Sequence, residues 1–469
     1  MIIAVVVLIV GLVAVFPSVG EQLACAASKA VGAVSGSPVS CAGEPGGGSG
    51  GEPGGGSGGE PGGGSGGEPG GGGQAGGSQT DPDSTGFVTS RTTAPGSGPG
   101  RVEFTVDVPD GADWTVQSDQ PWLTVPDGGN GSGTVTGTVH ANPGGSRTAT
   151  LTFTGPDGET YTQKVTQPGG RADTVVLGDS FSAGNGSSKN NPDRGPDGDC
   201  HDIDGNALPS HRSSMSWGRQ LEMGTANSAG TPNISLSGFG PCSGATVTGT
   251  DLTGAPGSSA LLDQIEANKD ALAQADQVAF SIGGNDIGFA SIVADCVAPF
   301  GLSTVAKCHN AVVAGRERIN GPLSDNLETA YRAMLEATKD KGATIYVVGY
   351  PPMVELDDTG GGFLDYGEVE PENRQEVVDM INELNSQIAT TVDRVNASNP
   401  DGARLVFVDP TKPGSGFEGH SLTDDVPYYE GLDLQFPPWR GAEAWSYHPN
   451  EAGNEEYARW IGWHMMGNR

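Results

Sequence analysis

Short apolar and polar runs alternate along residues 86–168. VEFTVDV, WTVQ, WLTV, GTVTGTVHA, TATLTFTG and YTQKVTQ are rich in Thr and Val, and the turn sequences PDG, DGGNGSG, NPGGS and GPDG separate them. Alternation with a period of two predicts half-buried strands, and closely spaced turns are typical of a small antiparallel sandwich. We therefore predict an all-β, immunoglobulin-like sandwich domain over residues 86–168.

The pattern changes after residue 170. The apolar runs ADTVVLGDS, QVAFSIGGND, ATIYVVGYP and ARLVFVD are continuous, which predicts strands buried on both faces of a parallel sheet. SALLDQIEANKDALAQ, LSDNLETAYRAMLEATKDKG and ENRQEVVDMINELNSQIATTVDRV lie between them and predict helices. Strands that alternate with helices predict a doubly wound α/β domain over residues 171–469, with ligands at the carboxyl ends of its strands.

The first 85 residues lack both patterns. MIIAVVVLIVGLVAVFP contains an apolar run of about 15 residues, shorter than the roughly 20 that span a bilayer. We predict an export or anchor segment over residues 1–42, with a buried helix of a globular domain as the alternative. Residues 43–85 repeat GEPGGGSG and hold almost no apolar side chain, so they cannot offset the entropy of ordering. They predict a disordered, flexible linker.

Charge and cysteine content narrow the functional classes. The chain carries 57 acidic and 24 basic residues, a net charge of −33, which argues against nucleic acid as a partner. None of its six cysteines forms a CxxC pair, which argues against a zinc ribbon or a thioredoxin-like motif. The even count fits disulfides and hence a secreted or extracellular protein, with the N-terminal segment as a candidate membrane tether. We predict the pairs Cys200–Cys242 and Cys296–Cys308, which spacing alone does not determine.

Four residues that suit acyl transfer follow apolar runs or precede the final helix. Ser180 stands in VVLGDSFSAGNG, Gly244 in CSGAT, Asn285 in SIGGND and His448 in WSYHPN. A serine hydroxyl is a weak nucleophile that needs an adjacent base, and the reaction also needs donors aimed at the developing oxyanion. Imidazole, backbone N–H and side-chain amide groups supply these functions.

Together these blocks resemble the SGNH (GDSL-like) hydrolase family, in its secreted actinobacterial esterase and lipase branch, over roughly residues 172–469. The resemblance implies a flavodoxin-like α/β fold and ester hydrolysis through an acyl-enzyme intermediate, with no cofactor and no metal. It implies that Ser180 is the nucleophile and His448 the general base. It also implies an oxyanion hole formed by the backbone N–H groups of Ser180 and Gly244 and the amide of Asn285. The implied substrate is an acyl lipid or a short-chain ester.

The chain departs from that family at one position. Most members carry an aspartate three residues before the histidine, and Trp445 occupies that position here. Some relatives use a main-chain carbonyl instead. We therefore predict a Ser–His dyad in which the backbone carbonyl of Trp445 accepts from Nδ1–H of His448.

The sandwich resembles a BACON domain, which implies a glycan as a candidate partner. Trp114, Trp122, Asn142, Arg147 and the closing Val165-Thr166-Gln167 carry the resemblance. Core or edge packing in the sandwich is the favoured interpretation of the two tryptophans, ahead of stacking on a sugar. Two alternatives to a serine esterase or lipase stay open: a carbohydrate acetyl esterase, and a non-catalytic glycan-binding surface protein.

The acidic run DGDCHDIDGN does not predict a calcium site, since Ala207 and Ser213 occupy the template positions for Gly and Glu.

Overall fold

The computed structural model describes residues 88–91, 95–187, 196–201, 206–223, 233–252, 254, 259–297, 304–356, 369, 371–399, 404–422, 424–431 and 446–467. The predicted export segment (1–42) and linker (43–85) lie outside these residues. The sandwich and the α/β domain belong to one compact unit, Gly77–Arg469. Among the described residues, no helix has the length and apolar character that a membrane span requires.

Two four-stranded antiparallel sheets form the N-terminal sandwich. The strands of the first sheet lie in the order β1-β2-β6-β4 and those of the second in the order β5-β3-β7-β8. On β2, Val102, Phe104 and Val106 point into the core and their neighbours are exposed, because side chains alternate along a strand. The strands are β1 (Val88–Arg91), β2 (Gly100–Asp107), β3 (Asp113–Ser118), β4 (Leu123–Thr124), β5 (Gly128–Asn130), β6 (Gly133–Val139), β7 (Arg147–Thr154) and β8 (Thr160–Gln167).

A five-stranded parallel sheet organises the C-terminal domain, in the order β12-β9-β15-β16-β17. Every residue of β15 and β16 is buried, as the continuous apolar runs predict. The remaining strands are β9 (Ala172–Gly178), β10 (Pro196–His201), β11 (Ala207–Pro209), β12 (Ile234–Phe239), β13 (Ala245–Thr246), β14 (Ser259–Ala260), β15 (Gln277–Ser281), β16 (Thr344–Val348) and β17 (Leu405–Val408). The order of the strands reverses between β9 and β15, the position at which such sheets bind ligands.

The helices share one hydrophobic core with this sheet. They are α1 (Ser180–Ala183), α2 (Trp217–Met223), α3 (Leu261–Ala267), α4 (Lys269–Gln274), α5 (Phe289–Val297), α6 (Val305–Ile319), α7 (Leu323–Ala337), α8 (Pro371–Ala397) and α9 (Glu451–Met465). The doubly wound fold agrees with the sequence prediction.

The helices differ from the sequence pattern in two places. The single helix expected over SALLDQIEANKDALAQ is divided into α3 and α4 at Asn268, whose side-chain amide donates to the Gln264 carbonyl (2.9 Å). Such local bonds compete with helical ones. In addition, α5 and α6 occupy a stretch where no element is predicted. The disulfide Cys296–Cys308 joins them, and a second disulfide links Cys200 to Cys242.

The sandwich is docked at the amino-terminal edge of the parallel sheet. The Ala141 N–H donates to Oγ1 of Thr344, the first residue of β16 (3.3 Å). The Asn233 N–H, just before β12, donates to the Pro143 carbonyl (2.9 Å). Arg147 donates through Nη1 to the Met466 carbonyl after α9 (2.7 Å). The sandwich therefore lies at the amino ends of the strands, opposite to their carboxyl ends.

Candidate active site

The turn after β9 positions Ser180. Gly178 has φ 118°, and a Cβ there would lie 2.4 Å from the Ser281 carbonyl oxygen, so the close approach of β9 to β15 requires glycine. Asp179 caps α1, because its Oδ1 accepts from the Phe181 N–H (3.1 Å). Ser180 is the first helical residue and is 7% exposed. The hydroxyl therefore stands at the carboxyl edge of the sheet on a rigid turn.

His448 approaches from the segment that precedes α9. Its Nε2 lies 2.7 Å from Ser180 Oγ, although 268 residues separate the two in the chain. The Phe181 ring packs beside the imidazole, with 5.2 Å between ring centroids. Asn450, two residues later, caps the N-terminus of α9, and its side chain accepts from the Gly453 N–H (3.0 Å). A helix cap on one side and an aromatic ring on the other therefore hold the histidine.

The third member of the arrangement differs from the sequence prediction. Nδ1 of His448 lies 3.0 Å from the backbone carbonyl oxygen of Ser446, one residue later than the predicted carbonyl. Trp445 itself lies outside the described residues. Tyr447, between Ser446 and His448, has φ 62°, and this left-handed turn brings the Ser446 carbonyl under the imidazole.

The two contacts fix the tautomer of the imidazole. A carbonyl only accepts, so Nδ1 carries the proton and Nε2 is free to accept from the Ser180 hydroxyl. Burial lowers the pKa of His448 to about 4, and the hydrogen bond to Ser446 opposes this only in part. The imidazole is therefore neutral at neutral pH, which is the form that can remove a proton.

Gly244 and Asn285 border the same cavity as Ser180 and His448. Gly244, just before β13, has φ 74°. The Cys242 N–H donates to the Gly178 carbonyl (2.9 Å), which ties the CSGAT loop to the turn that carries Ser180. Asn285 follows β15, and its side-chain Nδ2 donates to the Ala245 carbonyl (3.0 Å). The structure thus brings the four sequence-predicted residues together at one sheet edge.

The cavity has a volume of about 290 Å³ and one apolar wall. Helix α5 forms that wall. Its contributing side chains are Phe289, Ala290, Val293 and Ala294. Val293 is buried, while Ala290 and Ala294 are exposed at the cavity surface. An acyl group bound at Ser180 would find apolar surface here.

Two buried carboxyl groups adjoin the site residues in the chain, Asp179 before Ser180 and Asp286 after Asn285. Burial raises the pKa of Asp179 to about 6, and hydrogen bonds from Ser281 and Tyr350 oppose the shift. Burial also raises the pKa of Asp286 to about 6. Asp286 accepts from the Val247 N–H (3.2 Å) and from Nδ2 of Asn326 (3.1 Å), so it holds the segment that follows Gly244.

Sequence reasoning missed Tyr350 and Ser446. Tyr350 follows β16 in YVVGYP, the same strand-end signal that identified Ser180 and Asn285, so that signal could have found it. Ser446 lies in WSYHPN, but only the backbone turn reveals its role. Within the described ranges, no group of three His, Cys, Asp or Glu side chains could hold a metal ion.

Comparison with known proteins confirms both resemblances. Residues 176–456 match the model of the GDSL-like lipase/acylhydrolase family, which is more than half of the chain. Residues 112–167 match the model of the BACON domain.

Individual relatives are distant. Lipase 1 of Streptomyces coelicolor is 26% identical over 176 residues, which is 38% of this chain and 55% of that protein. The chain thus matches about half the length of this curated relative. An extracellular lipase from Streptomyces rimosus has a TM-score of 0.44 at 21% identity, covering 62% of this chain and 98% of the lipase. Phospholipase A1 from Streptomyces albidoflavus has a TM-score of 0.45 at 22% identity, covering 62% of this chain and 98% of the phospholipase.

Proposed function

Because the chain belongs to the GDSL-like lipase/acylhydrolase family, we propose that it hydrolyses carboxylic esters through an acyl-enzyme on Ser180. The observation that carries this proposal is the 2.7 Å contact between Ser180 Oγ and His448 Nε2, two residues that line the cavity. A nucleophile and a base within hydrogen-bonding distance are the signature of covalent acyl transfer.

The reaction has two halves. In the first, Ser180 Oγ attacks the ester carbonyl, Nε2 of His448 takes the hydroxyl proton, and the proton then passes to the leaving alcohol. In the second, water attacks the acyl-enzyme, the same nitrogen removes a water proton, and that proton returns to Ser180 as the acid leaves. Throughout, Nδ1–H remains on the Ser446 carbonyl, which orients the ring in a Ser–His dyad.

The oxyanion that forms in each half is assigned three donors. They are the backbone N–H groups of Ser180 and Gly244 and the second N–H of the Asn285 amide. The Asn285 bond to Ala245 supports this role because it fixes the amide plane before substrate binds. Fixed donors stabilise a developing charge without reorganisation during the reaction.

The apolar wall of α5 favours an acyl chain as the bound part of the substrate. A carbohydrate acetyl esterase would need space for only a methyl group on this side of the serine. The cavity of about 290 Å³ beside Phe289 and Val293 supports longer acyl groups, so we place an acyl ester or lipid ahead of an acetylated glycan.

The sandwich supports a packing role for its aromatic residues. Trp114 is 6% exposed and Trp122 is 2% exposed, and Arg147 stacks over the Trp122 ring at 4.5 Å. Buried rings offer no face to a sugar. A glycan partner of this domain would therefore bind through other surfaces.

We also propose that the enzyme works outside the cytoplasm, where the predicted N-terminal segment would hold it at the cell surface. The disulfides Cys200–Cys242 and Cys296–Cys308 support an oxidising compartment. Fractionation of cells that express the full chain tests this location.

The experiment for the activity compares Ser180→Ala with wild type on p-nitrophenyl butyrate. Loss of a serine nucleophile lowers kcat by about 10⁶-fold in a well-studied serine hydrolase, and we expect a loss of that order. A fluorophosphonate should label wild type on the peptide that contains Ser180, as read by mass spectrometry. Ser237→Ala, a serine on β12 away from the cavity, is the control. Turnover by Ser180→Ala near the wild-type rate would refute the proposal.

A further inference from the structure

Tyr350 stands between the two loops that carry the candidate nucleophile and the Asn285 amide. Its side chain is 3% exposed and lies against the same cavity. The hydroxyl donates to Asp179 Oδ2 (2.5 Å) and accepts from the Gly284 N–H (2.9 Å). Asp179 immediately precedes Ser180, and Gly284 immediately precedes Asn285. One hydroxyl therefore joins the end of β9 to the end of β15.

A third element, helix α8, holds the backbone of Tyr350 and so fixes the position of its hydroxyl. Asn385 of α8 holds both polar groups of the Tyr350 peptide: its Oδ1 accepts from the Tyr350 N–H (2.8 Å), and its Nδ2 donates to the Tyr350 carbonyl (2.8 Å). The Phe181 ring meets the Tyr350 ring edge-on at 5.1 Å. The tyrosine can therefore move little without breaking bonds in a buried region, where unsatisfied polar groups are costly.

Tyr350 also packs closely against the loop that carries Asn285. A Cβ on Gly284 would lie 3.0–3.2 Å from atoms of the Tyr350 ring and hydroxyl. Glycine at this position thus lets the main chain approach the hydroxyl. Asp179 is held on its other oxygen, where Oδ1 accepts from the Ser281 hydroxyl (2.5 Å) and the Phe181 N–H (3.1 Å).

We propose that Tyr350 is a positioning residue of the ester hydrolase: its hydroxyl sets the separation of the Ser180 turn from the Asn285 loop by bridging Asp179 and Gly284. The inference rests on the proposed function, because it assigns these two loops to nucleophile and oxyanion hole. Tyr350 acts through its neighbours and transfers no proton to the substrate.

The bridge should depend on pH through its carboxylate. Burial raises the pKa of Asp179 to about 6, and the Ser281 and Tyr350 hydroxyls hold it below the value that burial alone would give. The other titratable groups whose charges act with Asp179 are Asp286 of the GGND loop and Tyr457 of α9. Below about pH 6, Asp179 takes a proton and Tyr350 loses its charged acceptor. Activity should therefore fall there, well above the pH at which His448 becomes charged.

Tyr350→Phe in the full chain tests the bridge, because it keeps the ring and removes only the hydroxyl. We expect kcat on p-nitrophenyl butyrate to fall about tenfold at pH 8 with KM nearly unchanged, the scale of one charge-assisted hydrogen bond. The acid limb of kcat against pH, which is the fall below about pH 6, should also be lost in this variant, because protonation of Asp179 cannot break a bridge that is already absent.

Tyr331→Phe is the matched control. Tyr331 is also fully buried in the core of this domain, but its hydroxyl has no hydrogen-bond partner among the described residues. Its kcat and pH profile should equal those of wild type. A Tyr350→Phe protein that matches this control in both kcat and acid limb would overturn the inference, even if Ser180→Ala is inactive and the proposed function stands.

Ser281→Ala provides a second variant should Tyr350→Phe fail to fold. It removes the second hydroxyl that donates to Asp179 and leaves the Tyr350–Gly284 bond in place. The acid limb of kcat should therefore move to higher pH, while kcat on the alkaline plateau stays near the wild-type value. Asp286 receives its bonds from Val247 and Asn326, which neither substitution touches. An acid limb that does not move in Ser281→Ala would belong to another group and would overturn the inference.

Discussion

The side-chain amide of Asn285 donates to the backbone carbonyl of Ala245, with 3.0 Å between Nδ2 and the oxygen. This bond joins the end of β15 to the strand that follows Gly244, so two of the proposed oxyanion donors are fixed relative to one another. It uses one of the two amide protons and leaves the other for the substrate.

Asn285→Ala should therefore lower kcat by about 10²–10³, the usual effect of removing one oxyanion donor. Steady-state kinetics on p-nitrophenyl butyrate measure it. Asn268→Ala, which removes a half-buried amide between α3 and α4 and away from the cavity, should leave kcat unchanged. A wild-type rate for Asn285→Ala would exclude the amide from the oxyanion hole.

His448 should make the stability of the protein depend on pH. Because burial lowers its pKa from 6.5 to about 4, the folded protein binds fewer protons than the unfolded chain between those values. Its contribution is present above pH 6.5 and is lost as the pH falls towards 4.

His448→Gln removes that dependence. We expect the free energy of unfolding of the variant, relative to wild type, to rise by on the order of 3 kcal/mol as the pH falls from 6.5 to 4. Urea unfolding of both proteins at several pH values measures the difference, from which the opposite contributions of Asp179 and Asp286 cancel. A difference that is constant with pH would show that this histidine titrates normally.

Ala294 should limit the length of the acyl chain. It is exposed at the cavity wall, so a larger side chain there fills the cavity without crowding the core. Each methylene buried in the wild-type cavity should raise kcat/KM by about fourfold, from roughly 0.8 kcal/mol per CH₂.

Ala294→Phe should therefore remove the preference for octanoyl over acetyl esters and leave acetyl ester hydrolysis nearly unchanged. A series of p-nitrophenyl esters measures the preference. Ser291→Phe adds the same ring to an exposed position of α5 that does not border the cavity, and it should keep the wild-type preference. If both variants behave alike, the acyl chain binds elsewhere.

Arg147 should couple the two domains. Besides Met466, its guanidinium donates to Gln167 Oε1 (2.8 Å) and to the carbonyls of His140 and Ala141 (both 3.0 Å). Burial lowers the pKa of Arg147 to about 10, which leaves it charged at neutral pH. A hydrogen bond from a charged group is typically worth about 1.5–3 kcal/mol.

Arg147→Ala should thus lower the free energy of unfolding by about 3 kcal/mol and separate the melting of the two domains in calorimetry. The control is Arg171→Ala, an exposed arginine paired with Asp173, which should change stability by less than about 1 kcal/mol. Equal melting curves for the two variants would mean that the docked surface does not depend on this arginine.

Local patterns determined much of this protein. Alternating and continuous apolar runs identified the sandwich and the parallel sheet, because side-chain burial follows strand periodicity directly. Ser180, Gly244, Asn285 and His448 were identified from the short sequences around them, through their places at strand ends or turns and their resemblance to the blocks of the SGNH family. Helix α5 was not predicted, and the division of one predicted helix into α3 and α4 at Asn268 was not predicted either. Apolar spacing encodes neither feature.

Only the tertiary structure decided which groups orient the candidate catalytic residues. Whether Ser446 or Trp445 faces Nδ1 of His448 depends on one left-handed residue, and residue spacing does not specify that turn. Tyr350 bridges Asp179 and Gly284 because three strand ends and α8 converge, an arrangement set by the order of strands in the sheet. Arg147 reaches Met466 across 319 residues of sequence. Such contacts depend on packing between distant segments, and a pattern confined to neighbouring residues carries no information about them.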